Sequence, residues 1–128
     1  MYRVVLDTNI IVSAVISTQG NPAQILNMVL DRKHIMHYSS DILAEYKRVL
    51  AKPKLGIGAT AQTGIIEAII EAGVLVIPTK SDMPLPDESD RVFYDAANTC
   101  DGILITGNIK HYPSEPHVMT PTSFLAMH

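Results

Sequence analysis

Arg3-Val4-Val5-Leu6-Asp7 is an apolar, β-branched run without alternation that stops on a carboxylate. A strand with one wet face alternates apolar and polar residues, whereas a parallel strand covered on both faces does not. The run therefore predicts an interior strand of a parallel sheet. Consecutive parallel strands need long crossover connections, usually helical, and the chain downstream supplies them. Residues 9–16 form an apolar helix candidate, Gln19-Gly20-Asn21-Pro22 interrupts it, and 23–30 reads as a second helix. Residues 35–38 give a short second strand. Ser39 or Ser40 caps a third helix, in which Ile42, Tyr46, Val49 and Leu50 keep helical spacing until Lys52-Pro53.

Beyond a loop carrying Gly56, Gly58 and Thr60, residues 62–72 read as a helix closed by Gly73, and 74–77 as a strand closed by Pro78. A polar loop over 84–89 leads to a helix over 90–99 and a strand over 103–106. Val118-Met119 gives a short last strand, and Pro121 opens a terminal helix. Strands thus alternate with helices, with no internal repeat or linker. That order predicts an α/β fold: a three-layer α/β/α sandwich around a central parallel sheet, formed by residues 1–128 as a single domain.

Composition narrows the function. The 128-residue chain is 47% hydrophobic with a mean hydropathy of +0.16, enough apolar material for one core. Its formal charge of −3 is not that of a generally basic nucleic-acid binder, so an anionic substrate must be held by a local patch or by metal. One cysteine, Cys100, excludes an internal disulfide and offers no Cys/His zinc cluster. The apolar stretch before Asp7 is too short for a signal-peptide core, and no apolar run is long enough to span a bilayer. A soluble, cytoplasmic protein is expected.

In an open parallel sheet, ligands gather beyond the carboxyl ends of the strands. Asp7 stands at such an end, either as a cap on the next helix or as part of a site. Glu45 lies three residues after Ile42 and four before Val49, on or beside the stripe that faces the sheet. A carboxylate there is costly unless paired or metal-bound; as a surface residue it would have Arg48 and Lys52 as helical neighbours. Asp90 starts a helix whose Phe93, Tyr94 and Ala97 share one edge, while Asp87, Glu88 and Ser89 could serve the same helix terminus and Asp95 flanks it. Asn108 is either a turn residue after Gly107 or a polar group at another strand end.

Three carboxylates and an amide converging on one sheet edge, without His or Cys, suit a hard cation such as Mg2+ or Mn2+. In phosphodiester hydrolysis such an ion activates water and neutralises phosphate charge. Asp7→Asn is then expected to remove activity and to leave stability unchanged or higher, by relieving carboxylate repulsion. Lys47, Arg48, Lys52 and Lys54 cluster on and after the Glu45 helix, and Arg91 adjoins Asp90. They are phosphate contacts or a solvated face.

In this order, the motifs resemble those of the PIN-domain ribonucleases over nearly the whole chain. Leu6-Asp7-Thr8-Asn9-Ile10 is similar to the opening motif of that family, Ser39 through Glu45 to Leu50 to its second acidic motif, and Asp90 with Thr106-Gly107-Asn108 to the last two. The resemblance implies a metal-dependent endoribonuclease acting on single-stranded or loop RNA. It makes Asp7, Glu45 and Asp90 the catalytic metal ligands, places Asn108 beside the metal, and gives Thr8, Asn9 and Thr106 supporting roles. Small bacterial members, called VapC-like, are commonly toxins neutralised by an antitoxin and are frequently homodimers, so an antitoxin partner and a homodimer are expected. Many relatives carry Asp where this chain has Asn108, which leaves the site one negative charge short.

Two other functions compete. An aspartyl-type phosphatase or phosphotransfer domain would use Asp7 as phosphoacceptor, with Thr106 and Lys110 holding the phosphate. A haloacid-dehalogenase-like enzyme, however, would need Asp where Asn9 stands, and the paired acids of a receiver domain are missing after the first strand. A catalytically weak PIN-like module that binds RNA or a protein would accommodate Asn108, but the intact Asp7, Glu45 and Asp90 speak against it.

Overall fold

Val4, Val5 and Leu6 are wholly inaccessible to solvent, and their strand lies at the middle of the sheet. The structure, a computed structural model, describes residues 1–127. Its strands are β1 (Arg3–Leu6), β2 (Ile35–Tyr38), β3 (Val74–Leu75), β4 (Ile103–Ile105) and β5 (Val118–Met119). They are all parallel, in the order β3-β2-β1-β4-β5. The register sets Val4 opposite Met36 on one side, and Val5 and Leu6 opposite Leu104 and Ile105 on the other.

The helices are α1 (Thr8–Ile16), α2 (Asn21–Leu30), α3 (Ser40–Leu50), α4 (Ala59–Ala72), α5 (Arg91–Cys100) and α6 (Pro121–Leu125). From β1 the chain winds outward through α1 and α2 to β2, then through α3 and α4 to the edge strand β3. It then returns by α5 to β4, on the far side of β1. Because the winding direction reverses, α5 covers one face, packing on β1, β2 and β4. The pairs α1–α2, α1–α3, α3–α4, α2–α4 and α2–α6 build the other layer. The three-layer α/β/α architecture read from the sequence is therefore the one found. The reversal also falls between β1 and β4, and it is at such a switch point that loops diverge and leave a crevice.

Local departures from the sequence reading have simple causes. The third strand pairs over only two residues, after which the Val76 N–H donates to the Tyr38 carbonyl at 2.7 Å and the chain leaves the sheet. As an edge strand it has a partner on one side alone, and Ile77, expected within it, is 85% exposed. Helix α4 begins at Ala59, so Thr60 is helical, with the Gln62 amide bonded back to the Ile57 carbonyl. A 3-10 turn at Glu88–Asp90 precedes α5, and another at Ile109–His111 follows β4. Among the described residues, no helix is long and apolar enough to cross a membrane.

Candidate active site

Asp7 extends the β1–β4 pairing, its N–H donating to the Ile105 carbonyl at 3.0 Å. Its Oδ1 accepts from the Thr8 N–H at 2.7 Å and so caps α1. Its Oδ2 accepts from Thr106 Oγ1 at 2.8 Å, from the Tyr112 hydroxyl at 3.0 Å and from Asn9 Nδ2 at 3.4 Å. Asp7 thus caps a helix and also anchors a polar cluster, and the two roles open to it in the sequence coexist. At 6% exposure it is tolerable as a carboxylate because these donors replace water. Burial first, and then the Asp7 charge, push the Tyr112 phenol far above its ordinary range, so its hydroxyl stays a donor.

The second carboxylate reaches the same strand end through α3. Ser39 Oγ accepts from the Ile42 N–H and caps that helix, and the buried Tyr46 donates to the Leu6 carbonyl, pinning it to the end of β1. Glu45, adjoining Tyr46, is held at the rim in a two-point ion pair with Arg48, at 2.7 and 3.1 Å. Asp90 closes the 3-10 turn before α5, its side chain 15% exposed, with His111 Nδ1 3.2 Å from its Oδ2. Burial raises the Asp90 carboxyl above its ordinary range, the neighbouring Asp7 adds to this, and His111 opposes it. Like charges crowded in this way are what a bound cation relieves.

One cleft of about 400 Å³ is lined by Asp7, Glu45 and Asp90 together, with Thr8, Asn9, Arg48, Lys52 and Lys54 in its wall. Asn9 ties the two strand ends: its Nδ2 reaches Asp7 and its Oδ1 accepts from the Gly107 N–H at 3.0 Å. Thr106 is buried behind Asp7. Asn108 is exposed and is absent from the cleft lining; its link to the site is its backbone N–H, which donates to Thr106 Oγ1 at 3.0 Å. Lys110, needed beside Asp7 for aspartyl phosphotransfer, is exposed and lies outside the lining.

The cationic residues separate into groups. Arg48, Lys52 and Lys54 supply the local patch that the acidic net charge called for. Lys47 lies instead along a groove between α3 and α4, with Leu50, Ile66 and Ile70. Arg91, a candidate phosphate contact in the sequence, is engaged elsewhere: its guanidinium donates to Glu88, to the Ser81 carbonyl and hydroxyl, and to the Met83 carbonyl. Five such bonds fix the loop before α5 and leave no donor face for RNA. Of the acids near α5, Asp87 is occupied by the Ser89 N–H and hydroxyl, and the buried Asp95 accepts from the Ser81 N–H in a separate cleft with Asp41 and Lys80. Only Asp90 among them faces Asp7.

Among the described residues, no three His, Cys, Asp or Glu side chains are gathered closely enough to cage a metal by themselves. Mg2+ needs no such cage, since it keeps several waters and takes one or two carboxylates. The cleft meets that requirement with Asp7 and Asp90, and Thr8 Oγ1 in its wall is buried without a hydrogen-bond partner. An all-oxygen donor set with an unsatisfied hydroxyl fits a hard cation. The sequence reading missed Tyr112 and His111, consecutive residues whose side chains meet Asp7 and Asp90. They follow a strand in a short turn, where no periodicity marks a functional side chain.

The family model described as PIN domain matches residues 3–110 of the chain. The uncharacterized protein MJ1680 of Methanocaldococcus jannaschii is 30% identical over 109 residues, covering 83% of this chain and 70% of that protein. The fold is also similar to that in a crystal structure of VapBC2 from Rickettsia felis bound to a DNA fragment from its promoter. That similarity has a TM-score of 0.60 and 17% identity over 92% of this chain and 96% of the other.

Proposed function

The chain belongs to the PIN-domain family, and from that premise we propose that it is a metal-dependent endoribonuclease cutting single-stranded or looped RNA. The observation that carries this reading is the convergence of Asp7, Glu45 and Asp90 in one cleft beside Arg48, Lys52 and Lys54. Asp7 and Asp90 would hold Mg2+ or Mn2+, Glu45 would join them on releasing Arg48, and Thr8 Oγ1 is at hand for a coordinated water. The bound ion would supply a nucleophilic water at neutral pH and screen the scissile phosphate. Thr106 and Asn9 hold the Asp7 carboxylate in place, Lys52 and Lys54 would hold flanking phosphates as point charges, and Arg48 would join them once Glu45 turns to the ion. The family membership, together with the fold shared with VapBC2, is the ground for reading the chain as the toxin of a toxin–antitoxin pair with a cognate antitoxin; a cytoplasmic location and a homodimer belong to the same proposal.

The test is cleavage of a labelled single-stranded RNA by the purified protein, with Mg2+ or Mn2+ and with a chelator. Cleavage is expected only with the metal, and undiminished cutting in chelator would overturn the assignment. In equilibrium RNA-binding titrations without metal, Lys52→Ala and Lys54→Ala should each weaken binding and flatten its salt dependence by about 0.7 in the log–log slope, the value for one lost single-strand phosphate contact.

Asn108 receives a separate test. Asn108→Asp adds a charge at a residue whose backbone N–H meets Thr106 Oγ1 and is expected to tighten Mn2+ binding. The exposure of residue 108 keeps the gain below about 10-fold, since exposed charges are screened. Calorimetric titration reads this directly. Unchanged or weaker binding would reduce Asn108 to the turn residue that supports Thr106 through its backbone.

A further inference from the structure

We propose that Tyr112 is a positioning residue of the metal site, whose hydroxyl holds Asp7 Oδ2 so that Oδ1 is the oxygen presented to the cation. This rests on the metal-dependent reading given above. Each carboxylate oxygen offers about two acceptor sites. On Oδ2 these are filled by Thr106 at 2.8 Å and Tyr112 at 3.0 Å, with Asn9 more distant at 3.4 Å. On Oδ1 only the Thr8 N–H is bound, at 2.7 Å, which leaves that atom one acceptor site.

Tyr112 is built to keep this arrangement. Its side chain comes from the turn that follows β4, closed by the His111 N–H to the Asn108 carbonyl at 2.9 Å and the Tyr112 N–H to the Ile109 carbonyl at 3.3 Å. The residue is only 5% exposed, so its ring cannot swing into solvent without opening the core. The preceding His111 meets Asp90, and the turn therefore bears on two carboxylates at once. Without the hydroxyl, Oδ2 would keep Thr106 and only the long Asn9 bond, so its second acceptor site would be weakly held. The carboxylate could then turn, and its geometry toward the ion would no longer be fixed.

Tyr112→Phe keeps the ring and removes only the donor. Mn2+ titration by calorimetry, without RNA, is expected to show a Kd raised by about 10-fold, within the 10–100-fold range for loss of a group that orients a metal ligand. Cleavage should recover toward the wild-type rate as Mn2+ is raised, while the metal-free protein remains folded by thermal unfolding. Asp7→Asn, titrated in parallel, separates the two ways of failing. If Tyr112→Phe binds Mn2+ as the wild type does while Asp7→Asn does not, Tyr112 merely packs and the proposal is wrong. If Asp7→Asn itself binds Mn2+ normally, the metal-site reading falls and the proposal falls with it.

Discussion

Asp7→Asn is expected to lower RNA cleavage by more than about 100-fold, beyond the upper range for losing a group that merely orients a ligand. Asp7 is the residue to which the other parts of the site are tied: Thr8, Asn9, Thr106 and Tyr112 all donate to it. The substitution should also destabilise the metal-free protein, contrary to what charge repulsion alone predicts from the sequence. An amide offers one acceptor atom and two N–H donors. Whichever way it is turned, its NH2 group faces either the Thr8 N–H or the Thr106 and Tyr112 hydroxyls. Replacing charge-assisted bonds in a buried site costs about 1–3 kcal/mol, and relief of repulsion with Asp90 offsets only part of this. Cleavage rates and thermal unfolding, measured side by side, check both parts. Wild-type-like cleavage by folded Asp7→Asn would remove Asp7 from the catalytic assignment.

The parts of this architecture that were legible in the sequence are those set by local pattern. The unalternating run Arg3-Val4-Val5-Leu6 reads as an interior parallel strand, and its Val4, Val5 and Leu6 are buried at the middle of the sheet. Strand ends and helix phase pointed to Asp7, Glu45 and Asp90, and the three line one cleft. Where one position of phase matters, the reading blurred. Lys47 and Arg48 are neighbours, but a helix turns by about 100° per residue, and they line different grooves. Partners distant in sequence were not legible at all. Nothing in Asp90-Arg91 announces that the guanidinium will be taken up by Ser81 and Met83, nor does the turn after Gly107 announce that Tyr112 will reach back to Asp7. The Tyr112 contact exists because the sheet brings β4 beside β1, and the Arg91 contacts because the loop before α5 folds back on the first turn of that helix, neither of which the helix and strand signals encode.

Asp90→Asn is expected to move stability and activity in opposite directions, and the difference from Asp7 is instructive. Asp7 is surrounded by donors, whereas Asp90 has His111 alone and is raised first by burial and then by the Asp7 charge. A carboxyl whose folded pKa lies above its unfolded value binds more protons in the native state. Stability is therefore lost as pH rises through the window that opens near 3.8, the ordinary aspartate value, and the penalty is complete above the folded pKa. Asparagine carries no such charge and keeps an amide to face His111. Metal-free Asp90→Asn should thus melt above the wild type at pH 7, with the advantage shrinking as the solution is made more acidic than the window. Saturating Mn2+ should reverse the order. A ligand at 100 times its Kd stabilises the protein it binds by about 2.7 kcal/mol, and the variant, short of one ligand, gains less at the same concentration. RNA cleavage by the variant should fall by more than about 10-fold, at least the loss seen for groups that only orient ligands. The crossing of the two melting series is the diagnostic result. If Mn2+ raises both proteins equally, Asp90 lies outside the metal site; if the metal-free variant melts lower at pH 7, burial and the Asp7 charge together do not destabilise the Asp90 carboxylate.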